Sequence, residues 1–138
     1  SITAIFTVLS ETDDVDDPVV ELMKSLLDGH IILSRRLAEK GHYPAIDIAG
    51  SISRMASVLL NADESKLARE AHRISAEYEE ARPMIESGIY RPGTNAQLDH
   101  AITRFPKLMA FLQQKIDEHS TLEATKASLA QQLGGGHI

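Results

Sequence analysis

The composition of this chain changes once, near Asn61, and that change limits what it can fold into. Before Asn61, β-branched runs alternate with short amphipathic stretches. After it no β-branched run appears, and Ala, Glu, Lys, Arg, Gln and Leu dominate. Alternating strand and helix signals imply an α/β unit, and an unbroken run of helix formers implies a helical one. The reading is therefore an α/β segment over residues 1–60 followed by an α-helical domain over 61–138, with a flexible tail from about 120. A chain of 138 residues is long enough to bury a core of ordinary proportions.

In the first part, Ile2-Thr3-Ala4-Ile5-Phe6-Thr7-Val8-Leu9 reads as a buried strand. Such a strand needs neighbours on both sides, so the chain is expected to be the downstream part of something longer. Its uncovered edge is expected to favour self-association. The acidic stretch 11–17 then leads to a helix capped by Asp17, with Pro18 at its first position, running to about Leu27. Asp28-Gly29 stops that helix. A short strand over 30–34, a helix over 35–40 ended by Gly41, and a third strand over 45–48 follow. This β-α-β-α order predicts a parallel sheet with right-handed crossovers, and ligands in such sheets lie beyond the strands' carboxyl ends. The loops at 10–14, 34–36 and 47–54 are the places to look.

In the second part, Asn61 with Glu64 forms a capping box for a helix carrying Leu67, Ala71, Ile74 and Tyr78, which Arg82-Pro83 is expected to break or kink. A loop at 88–93 leads to Thr94 with Gln97, read as a second capping box for Leu98, Ala101, Ile102 and Phe105. Pro106 is expected to bend or restart that helix. The apolar stripe from Leu108 then continues irregularly through Leu122, Leu129 and Leu133 to three glycines. The stretch from Leu122 offers itself to a partner helix.

Lys and Arg total 14 against 20 Asp and Glu, a formal charge of −6, and no helix carries a basic stripe, which argues against nucleic acid as a partner. The acidic excess lies in the first part. There is no cysteine, and no apolar run approaches the ~20 residues of a membrane helix. The six histidines show no paired ligand spacing, so no metal site is expected. Asp13, Asp14, Asp16 and Asp17 read as a solvated loop ahead of a helix. No Gly-x-x-x-x-Gly-Lys-Ser/Thr occurs, so the chain cannot cradle nucleotide phosphates on a P-loop of its own.

Five segments arrive in an informative order: the opening Ser-Ile-Thr-Ala-Ile-Phe-Thr-Val-Leu, the Asp-Asp-Val-Asp-Asp-Pro loop, Leu-Asp-Gly-His-Ile-Ile-Leu-Ser-Arg, Gly-His-Tyr-Pro-Ala-Ile-Asp-Ile and Ser-Ile-Ser-Arg. In order and spacing the chain closely resembles the ATPases of type III secretion systems, flagellar or injectisome. More distantly it resembles the nucleotide-binding subunits of rotary ATP synthases. The likeness runs over roughly residues 1–118. It implies the end of a RecA-like parallel sheet of the P-loop NTPase type followed by a helical C-terminal domain.

The resemblance also implies roles. Arg54, in Ser-Ile-Ser-Arg, falls where the family places an arginine finger directed at ATP on the neighbouring subunit; by itself, an arginine after a strand reads as a surface ion pair. Tyr43 falls where related subunits stack a ring on adenine, and Tyr90 is expected to wall the same pocket; without the family, both read as packing tyrosines. ATP and Mg²⁺ are expected in the full-length enzyme, with none bound by this piece alone, which should be inactive. The expected partners are a homohexamer, a stalk protein, chaperone–cargo complexes and an export gate, in the cytoplasm at the inner membrane. Two other readings stand beside it: a helical module whose own role is to bind stalk, chaperone or gate proteins, and a piece of a rotary ATP synthase subunit.

Overall fold

The computed structural model describes residues 2–9 and 17–133. Helix α1 (Pro18–Leu26) begins where the sequence dictates: Asp17 accepts from the Val19 amide at 2.8 Å, and Pro18 occupies a first-turn position that needs no donor. It ends at Leu27, whose extended backbone leaves the helical region while its N–H still donates to Met23. The expected strand at 2–9 is not formed. Those residues adopt no regular structure, and Ile2 and Ile5 are 97% and 95% exposed. A strand exists only through a hydrogen-bonded neighbour, and among the described residues none runs beside this stretch. The expected loops at 10–14 lie outside the described residues.

Strands β1 (Gly29–Leu33) and β2 (Ile46–Ser53) flank a short helix, α2 (Arg35–Glu39). They pair antiparallel, not parallel. The five residues of α2 advance only about 7.5 Å, against about 17 Å for the five of β1. The helix is too short to return the chain to the start of β1, so the chain turns instead. Ser34 N–H donates to Ala45 O at 2.8 Å and closes that turn. Gly29 faces Ser53 so closely that a Cβ on it would stand 2.6 Å from Ile52 O, so only glycine fits.

The ladder breaks between His30 and Ile32. There Asp47 Oδ1 accepts from the amides of Ala49 and Gly50, at 3.0 and 3.2 Å. Ser51 Oγ donates to Asp47 O at 2.5 Å and takes the Ile32 amide at 3.0 Å in place of a ladder carbonyl. This bulge turns Ile48 onto the helical core. The third strand, expected over 45–48, thus runs on through most of the segment 47–54 expected as loop, and Arg54 lies just past its end.

After α3 (Ala56–Leu59), the capping box forms as expected: Glu64 N–H donates to Asn61 Oδ1 and Asn61 N–H to Glu64 Oε2, both at 2.9 Å. Helix α4 (Ala62–Glu86) continues through Pro83, at the cost of the helical donor that the Glu79 carbonyl would otherwise have. Helix α5 (Ala96–Leu112) also continues through Pro106. Its cap is Asn95, not Thr94: the Asn95 side chain accepts from the amides of Gln97 and Leu98, while Thr94 Oγ1 turns back to Arg91 O. The stretch expected as a flexible tail from about 120 is helical over α6 (Leu122–Leu133). It folds onto its own chain: Leu133 is buried in the core, Arg104 donates to Gln132 O at 2.9 Å, and Lys126 pairs with Glu64 at 2.5 Å.

The main core joins Ala71 and Ile74 of α4, Phe105 and Leu108 of α5, and Leu133 of α6. Tyr78 stacks on Phe105, with ring centroids 3.8 Å apart and planes 5° from parallel. Burying Ile74 completely contributes about 1.5–3 kcal/mol. A smaller cluster, Ala81, Leu98 and Ala101, holds the other end of the α4–α5 pair with help from Ile85, Tyr90 and Ile102.

Candidate functional site

Arg54 follows β2 directly, and its N–H extends the pairing by donating to Asp28 O at 2.8 Å. The side chain then reaches α1. Nη1 and Nη2 donate to the carbonyls of Ser25 and Lys24, at 3.4 and 3.2 Å. These are end-of-helix carbonyls with no intrahelical donor, at the negative pole of the helix dipole. Among the described residues no carboxylate pairs with Arg54. Arg54 is exposed and held only by neutral oxygens. An anion would bind a guanidinium more strongly than carbonyls do.

Tyr43 lies at the opposite end of β2, before the strand begins, and a cis peptide bond joins it to Pro44. Eight residues of strand, about 25 Å, separate it from Arg54. Tyr43 is 58% exposed, and among the described residues its hydroxyl has no partner. The backbone is held: Tyr43 O accepts from Gln114 N–H at 3.0 Å. His42 beside it is only 5% exposed; its N–H donates to Leu37 O, and Nε2 is buried without a partner. Desolvation holds the His42 ring below its ordinary pKa, favouring the neutral form.

Tyr90 stands apart. Its hydroxyl donates to Asp99 Oδ1 at 2.8 Å and to Asn95 O at 3.2 Å, and its ring packs on the Ala81–Leu98 cluster. Burial and the Asp99 carboxylate raise its pKa. Asp99 also accepts from Gly93 N–H, so Tyr90 and Asp99 together fasten the loop before α5. Tyr43 meets the segment after α5 and Tyr90 the segment before it. The 17 residues between span about 25 Å, and the fold does not bring the two rings together.

A groove of about 480 Å³ is lined by Glu70, Arg73, Ala96, Gln97 and His100. Another, of about 350 Å³, lies beside Met84, Ile89, Tyr90 and Leu98. Neither includes Arg54 or Tyr43. Among the described residues no group of three or more His, Asp or Glu side chains is placed to hold a metal ion.

Sequence reasoning missed Gln114 and Ser51. Gln114 acts through its main-chain amide, which leaves no trace in residue type. Ser51 acts as a substitute ladder acceptor, and the Asp-x-x-Gly-Ser spacing at 47–51 was the available signal for that bulge.

Residues 60–131 match the family model of the T3SS EscN ATPase C-terminal domain. The chain belongs to the type III secretion ATPases. Residues 1–53 match the nucleotide-binding domain of the ATP synthase alpha/beta family, so the piece comprises the end of a nucleotide-binding domain followed by a helical domain. One relative, the flagellum-specific ATP synthase of Pseudomonas aeruginosa, is 46% identical over 136 residues, covering 99% of this chain and 30% of the relative. The SPI-2 type 3 secretion system ATPase of Salmonella typhimurium is 46% identical over 118 residues, 86% of this chain and 27% of that protein. The assembled ATPase EscN of enteropathogenic E. coli superposes with a TM-score of 0.91 at 39% identity, covering 96% of this chain and 32% of that one. EscN in complex with its central stalk EscO superposes at 0.78 and 34% identity, covering 84% and 29%. The chain thus spans about three-tenths of the length of the curated relatives it matches.

Proposed function

We propose that this chain is the C-terminal portion of a hexameric ATPase that energises type III protein export, and that it serves two nucleotides from the two ends of one strand. Residues 1–60 close the nucleotide-binding domain, and residues 61–138 form the helical domain. Tyr43 offers a ring to the adenine of the subunit's own ATP, and Arg54 offers a guanidinium to the terminal phosphate of the neighbour's. The observation that carries this reading is the disposition along β2: an exposed, unpartnered ring before it, and an exposed guanidinium on neutral carbonyls after it.

The chemistry assigned to this chain's residues is electrostatic. Arg54 leaves the carbonyls of Lys24 and Ser25 for the more strongly accepting phosphoryl oxygens, where its fixed charge offsets charge developing in the transition state. Fingers of this kind accelerate turnover by ~10³ or more. Tyr43 contributes base stacking, which needs no hydrogen-bond code. Tyr90 is kept to fastening the loop before α5. The phosphate cradle and the residues holding Mg²⁺ belong to a part of the enzyme outside this chain; bound there, the ion supplies Lewis-acid stabilisation of the phosphates.

As EscN has been solved with its central stalk EscO, a stalk protein is the partner assigned to the helical domain, with chaperone–cargo complexes and the export gate beyond it. The setting is cytoplasmic, at the inner membrane. The test is steady-state ATPase of the full-length enzyme. Arg54→Ala and Arg54→Lys should each lower kcat by ~10³ while nucleotide affinity stays within a few fold. An Arg54→Ala enzyme turning over at the wild-type rate would overturn the finger assignment.

A further inference from the structure

The loop carrying Tyr43 is tied to the helical domain through the main chain. Among the described residues, Gln114 N–H to Tyr43 O, at 3.0 Å, is the single backbone hydrogen bond joining residues 2–60 to residues 61–133. Two side-chain links accompany it: Ile48 in the core, and Arg36 on Glu79 at 3.3 Å. The Tyr43 ring has no side-chain hydrogen bond of its own, so its orientation is set by how its backbone is held.

The donor side is braced. Gln113 ends α5 with an extended backbone, φ −82° and ψ 139°. The next residues form a self-bonded turn: Glu118 N–H donates to Lys115 O at 3.1 Å, Lys115 N–H to Glu118 Oε2 at 3.2 Å, and Gln114 Nε2 to Glu118 O at 3.0 Å. Upstream, Phe105 and Leu108 root α5 in the core. On the acceptor side, buried His42 pins the residue before Tyr43.

We propose that Gln114 is a positioning residue for the adenine platform: its main-chain N–H fixes Tyr43, so a shift of α5 changes nucleotide affinity. The proposal rests on the reading of Tyr43 as that platform. The device is a single proton donated across the domain junction, and it makes the helical domain a determinant of base binding without touching the base. A partner that moves α5 would loosen or tighten ATP through this bond, leaving Arg54 at the far end of β2 unaffected.

Proline at 114 removes that proton. The residue before it tolerates the change, because Gln113 already has the extended conformation required of a residue before proline. Gln114→Ala keeps the N–H and loses only the side-chain bond to Glu118. In the full-length enzyme, Gln114→Pro should raise KM for ATP about three- to tenfold, the worth of one such bond, with kcat within twofold. Gln114→Ala, which loses one brace of the turn but keeps the donated proton, should raise KM clearly less than Gln114→Pro does. Inhibition by inorganic tripolyphosphate, which has no base, should be unchanged in Gln114→Pro, a separation that general loosening would not give.

Tyr43→Ala serves as the reference variant. If it leaves KM for ATP unchanged, the platform reading fails. If it raises KM while Gln114→Pro does not, the Gln114 proposal alone is overturned, as it is if Gln114→Ala and Gln114→Pro raise KM equally. Should Gln114→Pro fail to assemble, an amide-to-ester replacement at position 114 by semisynthesis removes the same proton without the ring and is read by the same criteria.

Discussion

Arg54 donates through Nη1 to the carbonyl oxygen of Ser25 at 3.4 Å, so the cation proposed to act across a subunit boundary rests, in the single chain, on the end of its own α1. The contact makes Arg54 a C-terminal cap. Arg54→Ala should destabilise the last turn of α1 by about 0.3–1 kcal/mol at low ionic strength, and Arg54→Lys by less. Amide exchange at Leu26 and Leu27 reports it, and the difference should shrink with added salt.

His42 predicts acid sensitivity. Its folded pKa lies below the ordinary value of 6.5, because burial penalises the imidazolium and Nε2 has no acceptor. The unfolded chain then binds more protons, so this contribution is fully present above pH 6.5 and is lost as pH falls through the folded value. Urea midpoints measured across that window should fall toward acid pH in the wild type and flatten in His42→Leu.

Glu64 predicts a second acid step. The Lys126 hydrogen bond, then the Asn61 amide, holds its carboxylate below the ordinary 4.5. Stability from this group is present above pH 4.5 and is lost as pH falls through the lower folded value. In Lys126→Gln the Glu64 carboxyl resonance should titrate at higher pH than in the wild type, and the clasp between α6 and α4 should weaken.

Leu133 separates a packed helix from a loose tail. Because its side chain lies in one core with Ile74 and Leu108, Leu133→Ala should cost about 2–5 kcal/mol in equilibrium unfolding. A change under half a kcal/mol would mean that α6 adds nothing to the core.

Ile2 and Ile5 predict association. Both stand almost wholly in solvent, on a stretch with strand-forming composition and no partner among the described residues. Light scattering on the isolated chain should give a mass that rises with concentration, and Ile2→Lys with Ile5→Lys should bring it down.

What the residues disclosed depended on whether the signal was local. Asp17-Pro18 and Asn61 with Glu64 were legible because a cap is made by neighbours in sequence. The change of character at Asn61 was legible because composition carries it, and the family order of motifs led to Arg54 and Tyr43. The antiparallel pairing was legible in principle, because a helix over 35–40 is already too short to carry the chain back along β1; the alternation of strand and helix suggests a parallel sheet only as long as that length is not weighed. The fold of α6 was hidden: its stripe is irregular, and only contacts with Ile74 and Arg104, far back in the chain, give it a face to cover. Asn95 took the cap from Thr94 because either side chain can reach a first-turn amide, and the loop geometry decides between them.

The placement of Leu133 also bears on the order of synthesis. Ile74 and Phe105 emerge well before it, yet the core they share with Leu133 is complete only when α6 arrives. A nascent chain halted before α6 would already pair α4 with α5 through Ala81, Leu98 and Ala101, but would leave the face of Ile74 and Leu108 that Leu133 covers open to chaperones.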